Sequence, residues 1–169
     1  MFYSLFAATS LCFNEKNIYT AETLAVVMQQ LVEQTPLPTL LMRTVIQSLA
    51  LYPNLIGNVM SILQKLSLKK VWNDKKIFEG FILVCKRTMP RSFQVLLQLP
   101  PPQLQLMFAS SPDFKLPMQE HINSLSDAQR AHVPNSILDV IFAADEPVDT
   151  ANVDTNAITS GADASLHHE

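Results

Sequence analysis

The sequence predicts an all-α protein of stacked antiparallel helix pairs, a HEAT-like α-solenoid, and three observations carry that prediction. Apolar residues recur at i, i+3, i+4 and i+7 through successive windows of roughly 10 to 16 residues. Prolines stand between the windows, among them Pro36, Pro38, Pro53, Pro90, Pro100 and Pro112, where a missing amide and a fixed φ end a helix. Only three glycines occur in 169 residues, too few for a sheet with many tight turns or for a loop that cradles phosphate. With roughly two helices per 35 to 40 residues, the spacing suits a degenerate hairpin stack without a strict repeat.

The predicted helix over residues 38–52 organises the rest. Wound at 100° per residue, Leu40, Leu41, Met42, Val45, Ile46, Leu49, Leu51 and Tyr52 cover most of its circumference. Only a narrow polar strip of Thr39, Arg43 and Gln47 is left. A helix this apolar needs cover on at least two sides, so it is the inner helix of the stack. If it meets a partner, Arg43 and Gln47 are the contact residues.

The other elements follow from the same periodicity. Thr20 caps a helix running to about Gln34, with Leu24, Met28, Leu31 and Val32 among its apolar positions. Asn54 is placed to cap the next, whose inner side is Leu55, Ile56, Val59, Met60, Ile62, Leu63 and Leu66. Asp74 caps another, with Ile77, Phe78, Phe81, Ile82, Val84 and Cys85 inward. Pro90 ends it and can enter the first turn of a short segment over 93–99. Pro100, Pro101 and Pro102 read as a rigid joint before a helix over 103–109. Two short helices, over 116–125 and 134–143, complete a body of residues 1–143, with Asn135 or Ser136 starting the last.

From Ala144 onward the composition shifts to Ala, Asp, Thr, Asn and Ser. Residues 144–169 bury too little apolar surface to offset ordering entropy and are expected to form a disordered acidic tail. The formal charge of −3 is unevenly placed. Asp145, Glu146, Asp149, Asp154, Asp163 and Glu169 all fall after Phe142, so a body near +3 carries a segment of −6. Within the body, bases concentrate between Lys65 and Arg91: Lys65, Lys69, Lys70, Lys75, Lys76, Lys86, Arg87 and Arg91, against Asp74 and Glu79. Such a stretch either contacts phosphates or an acidic protein surface, with Trp72 available for stacking, or forms an ordinary solvated helix face.

Nothing in the sequence spells a catalytic constellation. Glycine motifs for nucleotides, a GxSxG turn and readable paired carboxylates are all missing. His121 and His132 stand eleven residues apart on different elements, and His167 and His168 fall in the acidic end, so no metal or other cofactor is predicted. Cys85 falls on an apolar helix face, as a small core residue rather than a nucleophile. Two cysteines outside any CxxC pair fit a reducing compartment. The opening residues 1–13 resemble the apolar core of a signal peptide but lack a basic leading region. They read better as a helix of a longer protein cut at its start. No run is long enough to span a bilayer.

Several strings resemble a known family. Ser10-Leu-Cys-Phe-Asn-Glu-Lys-Asn-Ile-Tyr-Thr20, Leu24-Ala-Val-Val-Met-Gln-Gln-Leu31, Pro38-Thr-Leu-Leu-Met-Arg-Thr-Val-Ile-Gln-Ser-Leu49, Ser92-Phe-Gln-Val-Leu-Leu-Gln-Leu-Pro-Pro101 and Ala131-His-Val-Pro-Asn-Ser-Ile137 are similar to the C-terminal domain of the symplekin family. These blocks run in order through residues 10–142. The resemblance implies a nuclear, non-catalytic scaffold of pre-mRNA 3′-end processing. It implies docking of two subunits of the cleavage and polyadenylation specificity factor, the endonuclease and its inactive paralogue, with no membrane and no small-molecule substrate. The alternative is a helical module that contacts RNA weakly through Lys65 to Arg91. The phosphatase bound by the family's separate N-terminal domain is not implied here.

Overall fold

The computed structural model describes residues 8, 11–15 and 17–143. The acidic segment 144–169, expected to be disordered, lies outside the described residues, as does most of the opening apolar segment. The described residues form an all-α helical solenoid. Its helices are α1 (Ala21–Glu33), α2 (Leu41–Leu51), α3 (Ile56–Leu68), α4 (Lys75–Arg87), α5 (Phe93–Leu96), α6 (Pro101–Ser110), α7 (Lys115–Ser124), α8 (Asp127–Arg130) and α9 (Asn135–Phe142).

α2 is the inner helix that its apolar circumference predicts. It packs on α1, α3 and α4 together, and Leu41, Met42, Thr44, Val45 and Ser48 are buried. It begins at Leu41 rather than Pro38, after a turn in which the Leu41 amide donates to the Pro38 carbonyl at 3.0 Å. Tyr52 closes it: its hydroxyl donates to the Tyr19 carbonyl at 3.0 Å, tying the end of α2 to the residue before the cap of α1. Thr20 caps α1 as predicted, its Oγ1 accepting from the Thr23 amide at 3.3 Å.

α4 crosses α2 at close range. A Cβ on Gly80 would sit 2.5 Å from Met42 Cβ and 2.7 Å from its Cγ, so α2 and α4 meet where only glycine leaves room. The side of α4 that includes Ile77, Phe81 and Val84 is buried, each to 2% exposure or less. A buried side chain of this size is worth about 1.5–3 kcal/mol in transfer free energy, which makes this crossing a large contributor to the core. The end of α4 is sealed by two buried hydroxyls. Thr88 Oγ1 donates to the Val84 carbonyl at 2.8 Å, and Ser92 Oγ donates to the Cys85 carbonyl at 2.7 Å, satisfying groups a helix end leaves open.

Three details differ from the sequence expectation. Asn54 makes no cap; Pro53–Leu55 forms a 3-10 turn that runs straight into α3, and the Leu55 amide is satisfied by the Tyr52 carbonyl. The proline triplet is not a joint before α6. Pro101 and Pro102 fill its first turn, where their missing amides cost nothing, and Pro100 is its N-cap. α8 is an added element, marked by a Ser126-x-x-Gln129 capping box: the Gln129 amide donates to Ser126 Oγ at 3.4 Å and the Ser126 amide to Gln129 Oε1 at 3.1 Å. α9 packs on α6 and α7, and Gln119 on α7 donates to the Ile141 carbonyl at 2.8 Å.

Candidate functional site

The basic stretch is organised by the connector between α3 and α4. α3 ends with Lys69 as its C-cap, and Lys70 takes a left-handed conformation at φ 55 and ψ 53 that reverses the chain. Val71, 1% exposed, pins the turn to the core, and Trp72 is half-buried beside it. Asp74 then caps α4, its Oδ1 accepting from the amides of Lys76 at 3.0 Å and Ile77 at 3.2 Å. Lys69, Lys70, Lys75 and Lys76 are thereby held, exposed, around one rigid turn.

The remaining bases of the stretch are dispersed. Lys65 bridges α3 to α1: its Nζ donates to Gln29 Oε1 at 3.1 Å and pairs with the Glu33 carboxylate. That hydrogen bond and charge hold the Glu33 carboxyl below its ordinary range. Lys69 Nζ reaches the Gln34 carbonyl at 3.4 Å. Lys86 pairs with Asp113 in the turn before α7 and lowers that carboxyl in the same way. Arg87 borders a separate small groove with Ile46, Leu49 and Ile56, and Arg91 is exposed in the turn after α4. Arg43 and Gln47, the predicted polar strip of α2, are half-buried, with Arg43 Nε and Gln47 Oε1 themselves out of solvent. Neither of the two clefts that the connector lysines border is lined by Arg43 or Gln47.

One feature of the site is not legible from the charges. Between α4 and α6 runs a cleft of about 420 Å³, lined by Trp72, Lys75, Phe78, Glu79, Ile82, Leu106, Ser110 and Ser111. Lys75, Phe78, Glu79 and Ile82 are one helical face of α4, so half of the cleft is written at i, i+3, i+4 and i+7. The other wall, Leu106 and the start of the next turn, depends on where α6 docks. Trp72 is consequently a wall residue of this cleft, packed on the core, and not a free-standing platform. On the other side of the connector, a second cleft of about 350 Å³ is bordered by Thr35, Pro36, Leu37, Lys69, Lys70 and Ile77. Lysines therefore sit between two apolar-walled depressions.

Cys85 and His121 are packed into the structure. Cys85 is fully buried and its thiol is pushed far up by desolvation, the opposite of an activated nucleophile. His121 lies against the Phe93 ring, with centroids 5.1 Å apart, and the described residues contain no group of three or more metal-ligating side chains. No helix among the described residues is long and apolar enough to cross a membrane.

Fold and site together describe a non-repeating helical stack whose prominent surface feature is a basic, cleft-flanked turn, the build of a protein-binding scaffold. Residues 1–111 match the family model described as Symplekin tight junction protein C terminal. The chain belongs to the symplekin C-terminal family, a scaffold family. No solved structure matches it.

Proposed function

We propose that this chain is a docking domain of a nuclear scaffold in mRNA 3′-end processing, and that it holds the endonuclease subunit of the cleavage and polyadenylation specificity factor together with that subunit's inactive paralogue. The observation that carries the proposal is the family match over residues 1–111, a span that contains α1 to α6 and both clefts. The docking surface in this reading is the connector with its flanking clefts: Lys69, Lys70, Lys75 and Lys76 for acidic groups, and Trp72, Phe78, Ile82 and Leu106 for an apolar anchor. Tryptophan is one of the residue types that concentrate binding energy at protein interfaces, and the lysines around it would steer an acidic partner. Arg43, Gln47, Arg87 and Arg91 lie outside this patch and are separate candidate contacts in the same proposal.

The test is co-purification of the chain with the endonuclease–paralogue heterodimer, alongside the variant Lys75→Glu, Leu106→Asp. Retention of the chain and loss of the variant, at unchanged circular dichroism, is the expected result. Failure of the folded chain to bind the heterodimer rejects the reading. The four lysines around Trp72 also favour a second reading, weak RNA contact. RNA affinity would then fall steeply with salt, the log–log slope easing by about 0.7 for each phosphate-contacting lysine removed. A salt-independent affinity rejects it.

A further inference from the structure

We infer that the two clefts beside the connector are filled together by one extended peptide of a partner protein, in which two acidic residues stand between two large aliphatic ones. The inference rests on the docking surface proposed above and states what kind of segment that surface takes.

The clefts lie back to back across a single ridge. Of the neighbouring connector residues Val71 and Trp72, the first lines the cleft of about 350 Å³ and the second the cleft of about 420 Å³. Ile77 and Phe78, in the first turn of α4, divide in the same way. Each cleft therefore has apolar walls of its own: Pro36, Leu37, Val71 and Ile77 on one side, Trp72, Phe78, Ile82 and Leu106 on the other.

Each cleft also has a lysine with no carboxylate. Lys70 borders the smaller one and Lys75 the larger, and neither forms an ion pair among the described residues, whereas Lys65 and Lys86 both do. The acids nearest in sequence do not answer them. Asp74 is engaged by the amides of Lys76 and Ile77, and Glu79, one turn along α4 from Lys75, makes no ion pair with it. The missing partners are two carboxylates, one on each flank of the ridge.

The spacing fits an extended chain. Lys70 and Lys75 are separated by the 3-10 turn Val71–Asn73, which rises only about 2 Å per residue, so roughly 10 Å lies between them. Alternate side chains of a strand share a face and lie ~6.6 Å apart. Acids two positions apart then reach the two lysine heads, and aliphatic residues six positions apart span about 20 Å, beyond the ridge on both sides. The ridge is set before binding: the amides of Asn73 and Asp74 donate to the carbonyls of Lys70 and Val71 at 3.0 and 3.1 Å. A preformed site spares part of the ordering cost of taking a flexible segment.

Trp72 is the sole tryptophan and a wall of one cleft, so its emission reports occupancy. The probe is a capped synthetic peptide with leucine first and last, glutamate at the third and fifth positions and serine between, titrated into the chain at low salt. A saturable blue shift is expected. Replacing either leucine by serine should weaken binding about tenfold. Lys70→Glu and Lys75→Glu should each weaken it about two- to fivefold at unchanged circular dichroism, and molar salt should weaken it too. A peptide indifferent to Lys70→Glu and to the loss of one leucine sits in the Trp72 cleft alone and overturns the inference. Tighter binding with the leucines a helical turn apart overturns the extended geometry. Absence of binding at millimolar peptide, or binding of a uridine oligonucleotide in its place, also overturns it. Co-purification with the heterodimer by the same chain separates the two failures: a chain that holds the heterodimer but no peptide docks it through a folded surface. One that holds the peptide alone rejects only the identity of the partner.

Discussion

The two sides of α4 differ in what they meet. Toward α2 the helix is so close that Gly80 has no room for a methyl group against Met42. Toward α6 the same helix stands off and leaves about 420 Å³ beside Phe78 and Ile82. Both sides are apolar, and apolarity alone does not separate them. What separates them is that the close side meets α2 with no side chain at Gly80 to hold the helices apart, and the other faces an element that begins only after a buried turn at Thr88–Ser92 and a proline-led start. The close side is filled by Met42; the open side keeps the cleft that the proposed docking surface uses.

Substitutions can break or sharpen that contrast. The largest effect is expected for Phe81→Ala on the closed side: Phe81 is fully buried, and the loss should be about 3–5 kcal/mol by urea titration. Phe78→Ala, whose ring stacks on Phe81 at 6.0 Å but also lines the cleft, should cost less than Phe81→Ala because solvent can enter the space left behind. Equal costs would erase the distinction between the two sides. Gly80→Ala should cost about 1–3 kcal/mol by overpacking against Met42, and should cost less in a Met42→Gly chain, which lacks both the Cβ and the Cγ that the new methyl meets. The difference between the two costs measures whether the clash is the cause. Lys70→Gly should stabilise by a few tenths to about 1 kcal/mol, since glycine adopts φ 55 without the penalty a side chain carries.

The smallest effect is the pH dependence. The folded-state carboxyls of Glu33 and Asp113 are held low by Lys65 and Lys86, so their contribution is present above the unfolded values and lost as pH falls through the folded ones. Thermal midpoints should therefore decline as acid is added below about pH 4. Glu33→Gln with Asp113→Asn should flatten that part of the decline. Both groups are on the surface, so the change is expected to be modest and to shrink in salt.

Much of this architecture is legible in the residues. The inner face of α4, Ile77, Phe78, Phe81, Ile82, Val84 and Cys85, is buried residue for residue as its periodicity indicates. The all-round apolarity of α2 correctly implies cover from several neighbours. The caps are less regular, because Asn54 has the right chemistry but Pro53 starts a 3-10 turn before any cap can act. The candidate site is half legible. Charge clustering identifies the connector lysines, yet nothing local says that Lys65 and Lys86 face Glu33 and Asp113, some thirty residues away. The far wall of the cleft is likewise a product of how α6 docks, and a single sequence carries no local signal for it.

The most direct measurement of the central claim is amide hydrogen exchange on the full chain with and without the endonuclease–paralogue heterodimer. Slowed exchange should map to residues 69–76 and 106–111, the connector and the α6 wall. Amides of the closed side, around Gly80 and Phe81, should already be protected and stay unchanged. Protection that appears elsewhere on the stack, with 69–76 and 106–111 exchanging as in the free chain, would contradict the account.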